Sequence, residues 1–229
     1  VTPGAHPLVL AYHSVARKLA AGLLPSMVTL ADELVGHVAL LRSAGYRIVT
    51  AGELADELDA GGSGAGAAVL TFDDGWADAL TLTAPLLASL GVRATFFLAP
   101  GLFGNEDRTM SAEGRILTAE EARALHGCGM ELGAHSLHHP DLRTLDDGAL
   151  DDELRGSRAA VEQLTGRPCR VLAYPFGVHD RRVREATRAA GFSLAFTYAE
   201  GPWSRLAAPR MPAPPAGEPL VLPRRAEAQ

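Results

Sequence analysis

The chain has 229 residues, nearly half of them hydrophobic, and carries a formal net charge of −6. That length supports one sizeable core, and the hydrophobic fraction excludes a disordered polymer. The acidic balance argues against a nucleic-acid or anionic-membrane surface, since phosphate contacts need clustered Lys and Arg, and no window approaches the roughly 20 apolar residues of a membrane span.

The start, "VTPGAHPLVLAYHSV", shows no basic n-region ahead of an apolar h-region, which leaves the compartment open between a cytoplasmic chain, the favoured reading, and an exported one with a trimmed leader. Short β-rich runs then alternate with longer amphipathic ones. Strands are predicted at 8–12, 46–50, 68–72, 94–99, 130–134, 170–174 and 194–198, and helices at 30–44, 52–60, 76–90, 118–127, 146–165 and 180–190. Gly45, Gly91, Gly127, Gly166 and Gly191 each fall just past a helical run, where a C-terminal cap wants a left-handed residue. Thr118 and Glu121 have capping-box spacing. The stretch "AGGSGAGA" (60–67) reads as a connector, because a phosphate loop would end in Gly-Lys-Ser/Thr. Arg181, Arg182, Arg184 and Arg188 have helical spacing and read as a solvated face. Cys128 and Cys169 sit in no metal-type spacing and read as idle thiols.

Strands alternating with helices imply a parallel sheet, and seven such units without a hairpin pattern favour a closed barrel over an open sheet. Residues 1–201 are expected to form this single domain. Residues 202–229 are Pro-rich and non-periodic, and are expected to form a strap and a flexible tail.

The out-of-place polar residues gather where strands end. "AVLTFDDG" puts Asp73 and Asp74 after one strand, "MELGAHSLHH" puts His135 after another, and "LVLAYHS" puts His13 after the first. Parallel strands of a barrel end on one face, so these groups converge on a site with the composition of a divalent-metal hydrolytic centre. Each motif also has a plainer reading. An Asp pair can cap a helix, and a His cluster can be a solvated turn. Neither plain reading predicts the other motif. On a helical turn residues i and i+4 share a face, so His135 and His139 can point at one ion while His138 aims elsewhere. Two imidazoles and a carboxylate suit Zn²⁺, with Co²⁺, Ni²⁺ or Mn²⁺ as neighbouring choices.

Together "TFDDG", "HSLHHPDL" and "YPFG" resemble the polysaccharide deacetylases of carbohydrate esterase family 4, the NodB homology domain, over about residues 8–198. The resemblance implies a distorted (β/α)7 barrel and metal-dependent removal of N-acetyl groups from amino sugars. It implies Asp73 as general base, Asp74, His135 and His139 as metal ligands, and the backbone N–H of Phe176 as an oxyanion donor. Tyr174 and Pro175 beside it are expected to touch the sugar; Trp76 reads as a stacking platform at the mouth or as a first-turn core residue, and Trp203 as a stacking residue or as packing of the strap.

Two departures stand out. The family's third motif carries an Arg two residues before the Pro, and here that position is Ala173. The usual C-terminal Leu-x-His, which supplies the general acid, is absent, as no His follows His179. A branch of the family with an N-terminal "YH" strand fills that role by a circular rearrangement, and "LVLAYHS" resembles it, which gives His13 the acid role. Arg210 is the candidate replacement for the missing Arg, the alternative being a surface arginine in the strap. His179 reads as a loop histidine. The partner expected is an N-acetylated poly- or oligosaccharide. A small biosynthetic glycoside, or a binding relic without activity, stands as the alternative, and no oligomeric state is legible.

Overall fold

The structure, a computed structural model, describes residues 6–107, 110–111, 113–199 and 201–223. In chain order it has β1 (Leu8–Tyr12), β2 (Ser14–Ala16), β3 (Val28–Leu30), α1 (Ala31–Ser43), β4 (Arg47–Val49), α2 (Ala51–Asp59) and β5 (Ala67–Phe72). A π-helical turn, Ala79–Thr83, runs into α3 (Ala84–Ser89), followed by β6 (Thr95–Leu98), α4 (Ala119–Gly127), β7 (Glu131–Ala134), α5 (Asp147–Thr165), β8 (Val171–Ala173), α6 (Arg181–Ala189) and β9 (Leu194–Thr197). Two very short strands close the list, β10 (Ala208–Pro209) and β11 (Met211–Pro212).

All pairings of the main sheet are parallel, in the order β10-β9-β8-β7-β6-β5-β1-β11, with β4 beside the start of β5. β10 pairs with β9 and β11 with β1, and only Arg210 separates them. The proline-rich segment therefore bridges the two edges of the sheet and closes a distorted (β/α)7 barrel, with 208–212 in the seventh strand position. The strap is thus partly a strand. The last residues of the predicted strap and tail, 224–229, lie outside the described residues.

Period-two alternation sorts the strand residues into two layers. Leu8, Leu10 and Tyr12, or Ala68, Leu70 and Phe72, face outward to the helices, joining Leu34, Leu125 and Leu154 in the larger core. Val9, Val69, Phe97, Val171, Leu194 and Phe196 face inward and pack with Leu54 and Leu58 of α2, which plugs the bottom of the barrel. Each fully buried side chain of this kind contributes roughly 1.5–3 kcal/mol. Gly133 of β7 is required here, since a Cβ there would sit 2.5 Å from the Phe97 ring. At the same lower end, the partly buried Glu131 carboxylate accepts from the Gly52 N–H at the start of α2 and from Thr95 Oγ1. Cys128 and Cys169 are free thiols. No helix among the described residues is long and apolar enough to cross a membrane.

Candidate metal centre

The same alternation aims the polar residues. On β5 the inward positions continue from Val69 through Thr71 to Asp73; on β7, from Gly133 to His135; on β1, from Val9 to His13. All three lie at the strands' C-terminal ends, and the Asp73 N–H donates to the Tyr12 carbonyl at 2.9 Å, binding the first two strand ends together.

Asp74, His135 and His139 offer ligand atoms that all lie within 4.8 Å of one another. His135 Nε2 and His139 Nε2 are each 3.5 Å from Asp74 Oδ1. His135 Nδ1 donates to the Ala173 carbonyl at 2.7 Å, which fixes the tautomer and leaves the Nε2 lone pair for an ion. Burial pushes the His135 imidazole down to about 4, against the pull of Asp73, so the ring is neutral at neutral pH. This donor set, two imidazoles and one carboxylate on rigid strand ends, fits a divalent transition ion.

The histidine pair does not share a helical face, as the sequence spacing suggested. Ser136 and His139 have φ of 60° and 59°, and the Ser136 hydroxyl accepts from the His139 N–H at 2.9 Å. The chain turns back on itself, and this turn brings the two rings to 4.8 Å between centroids. His138 faces away: its Nδ1 contacts Glu153 Oε1 at 2.7 Å, and Glu153 also accepts the N–H groups of Leu137 and His138. Among the described residues, the non-glycine residues at positive φ are Asp74, Ser136, His139 and Phe176, all at this centre. Such conformations cost on the order of 1–3 kcal/mol each and persist where the surrounding structure imposes them.

Asp73 is buried and has a different environment. Arg210 NH1 and NH2 donate to its two oxygens at 2.7 Å each, and NH1 also reaches Thr71 Oγ1. The guanidinium is fully buried, so Arg210 is no surface residue. Burial alone would push the Asp73 carboxyl up, but the charge of Arg210 and its hydrogen bonds hold it well below the usual carboxylate range. His13, half-buried, lies close to Asp73 on the β1 side.

The "YPFG" turn forms the opposite wall. Phe176 sits at φ 58° with its ring edge-on to that of His139, 4.6 Å between centroids, so its backbone borders the triad. Pro175 is buried within the turn. Tyr174 has the outward parity: it is buried in the helix-side core with its hydroxyl on the Leu206 carbonyl, so its side chain is not at the site. Trp76 offers no stacking face either. It is 4% exposed, and its indole N–H donates to Asp74 Oδ2 at 3.2 Å, which makes it a support for that carboxylate. Trp203 is at the wrong end. After β9 the chain runs back down, and the Trp203 indole stacks on His6, which precedes β1. Sequence reading missed Tyr198. Its ring covers the Arg210 guanidinium at 4.6 Å, and its buried hydroxyl has no hydrogen-bond partner. The signal was available, since Tyr198 continues the inward parity of Leu194 and Phe196.

This barrel with an Asp, His, His cluster at its rim defines a class, and the comparisons agree with it. Residues 60–195 match the family model of polysaccharide deacetylases, and the chain belongs to that family. YxkH of Bacillus subtilis (strain 168) is 24% identical over 198 residues, 86% of this chain and 66% of that protein. The peptidoglycan-N-acetylmuramic acid deacetylase PdaA of the same organism is 30% identical over 132 residues, 56% of this chain. The matches thus span just under two thirds of YxkH and 44% of PdaA. In fold, the deacetylase PplD of Streptococcus pyogenes aligns with a TM-score of 0.76 at 21% identity, covering 90% of this chain and 91% of its own. IcaB of Ammonifex degensii aligns with a TM-score of 0.75 at 23% identity, covering 92% of each chain.

Proposed function

We propose that this chain is a divalent-metal-dependent hydrolase that removes N-acetyl groups from an amino-sugar poly- or oligosaccharide. The observation that carries the reading is the pairing of two carboxylates with opposite surroundings. Asp74 stands with two imidazoles, and its neighbour Asp73 is clamped by a buried arginine. Family membership supports deacetylation, and PdaA lends the example of an N-acetylated cell-wall sugar.

In this reading Asp74, His135 and His139 hold the ion, Zn²⁺ being the best match to the donors and Co²⁺, Ni²⁺ or Mn²⁺ also acceptable. When bound, the ion supplies a water of lowered pKa and polarises the acetamide carbonyl. Asp73 takes the proton of the attacking water. Arg210 keeps that carboxylate ionised and fixes its plane. The Phe176 N–H donates to the developing oxyanion, a contribution of about 3 kcal/mol where it has been measured in other enzymes. His13, protonated, gives its proton to the departing amine, which is a poor leaving group without one. Acetate and a free amino sugar result. The test is acetate release from chitooligosaccharides and peptidoglycan fragments by the metal-loaded chain; release that depends on the ion supports the reading, and none from any of them overturns it.

A further inference from the structure

The arginines of α6 do not form an even solvated face. Arg182 turns away to Asp147 and the Leu145 carbonyl. Arg181, Arg184 and Arg188 instead line one side of a cavity of about 310 Å³, with Arg205 opposite. A second cavity of the same size adjoins it, sharing Arg184 and Ser204 and reaching His179 and Thr197. Among the described residues lining the two, Glu185 is the one carboxylate. It is occupied by Arg181 at 2.8 Å, and Arg205 is paired with Asp59 outside the cavity. Arg184 and Arg188 have no carboxylate partner among the described residues, in a chain whose net charge is −6.

The second cavity is bounded by an arginine–histidine pair. Arg184 contacts His179 Nδ1 at 3.0 Å. A guanidinium only donates, so Nδ1 accepts and the neutral ring carries its proton on Nε2. That Nε2 is buried without a hydrogen-bond partner, and the ring packs 4.9 Å from that of Tyr174 on the helix side of the barrel. The cavity also backs onto the proposed catalytic wall, because the Thr197 hydroxyl holds the Gly177 carbonyl at 2.6 Å, one residue past Phe176.

We propose that this double cavity is a subsite for an anionic substituent, a carboxylate carried by the glycan whose acetamide enters the metal centre. The glycan rests on the function proposed above; the preference for an anion rests on the arginines alone. The test uses three probes in titration calorimetry with the full chain. They are a hyaluronan hexasaccharide, in which N-acetylated and carboxylate-bearing sugars alternate, its carboxyl-reduced neutral counterpart, and inorganic phosphate. The charged hexasaccharide should bind at least tenfold tighter than the neutral one, and Arg184→Gln/Arg188→Gln should abolish that difference while leaving the melting temperature unchanged. Equal affinities, or a preference that the double variant keeps, would overturn the proposal. Phosphate binding without discrimination between the hexasaccharides would also overturn it, leaving a site for free anions. Acetate release from neutral chitohexaose by the unsubstituted chain reports separately on the metal centre.

Discussion

Asp73 and Asp74 are chain neighbours whose surroundings assign them different work. Asp74, at φ 70°, points to the imidazoles and is braced by the Trp76 indole. Asp73 points down the barrel to Arg210. Asp73→Asn is therefore expected to keep its bound metal while acetate release falls on the order of 10²–10⁴-fold, the usual scale for losing a general base; near-normal turnover of the loaded variant would remove Asp73 from the mechanism. Arg210→Ala leaves a fully buried carboxylate without its partner, which typically costs about 3–5 kcal/mol, and urea unfolding should register that loss as a lower midpoint. The "DDG" and "HSLHH" motifs were legible because residue type and position at strand ends carry the chemistry. The geometry of His139 was not. It depends on left-handed residues that spacing rules for regular helices do not describe, and Ser136 and His139 have no glycine to announce the turn.

At the scale of elements, the main strands and helices of the β/α repeat fell near where alternation placed them, because buried parallel strands and amphipathic helices carry strong periodic signals. Gly45, Gly91, Gly166 and Gly191 follow their helices at positive φ, but Gly127 is the last residue of α4 and the left-handed glycine there is Gly129, and the run 76–90 is helical only from Ala79. The closing segment gave no periodic signal. Ala208–Pro209 and Met211–Pro212 are two residues each, and proline normally argues against a strand because it lacks a ladder donor. A seam that needs only a few backbone bonds tolerates it. The wall made by 175–177 and Tyr198 is the element most exposed to test. Gly177 has φ 66°, and a Cβ there would lie 2.1 Å from the Tyr198 ring. Gly177→Ala should cost about 2 kcal/mol or more through left-handed strain and overpacking. Because the displaced ring covers Arg210 and the turn carries Phe176, acetate release should fall while metal content is retained. Thermal melts and metal analysis on one preparation check both halves.

For the molecule as a whole, parallel strands deliver every candidate group to one rim, and this concentration of buried ionisable groups makes stability depend on pH. His135 has a folded-state pKa of about 4 against an ordinary 6.5. The unfolded chain therefore takes up the proton first as pH falls, so the full stability is present above 6.5 and is lost progressively towards 4. The loss amounts to about 3 kcal/mol. Asp73, with its depressed pKa, adds a further loss only at lower pH. Urea midpoints of the metal-free chain should fall across this window; a flat profile would contradict a neutral buried His135. The measurement that bears most directly on the account is the metal content of the histidine variants after gel filtration, determined by elemental analysis. The account predicts one divalent ion per chain in the wild type and in His138→Ala, and none in His135→Ala or His139→Ala. An ion lost with His138→Ala and retained with His139→Ala would contradict it.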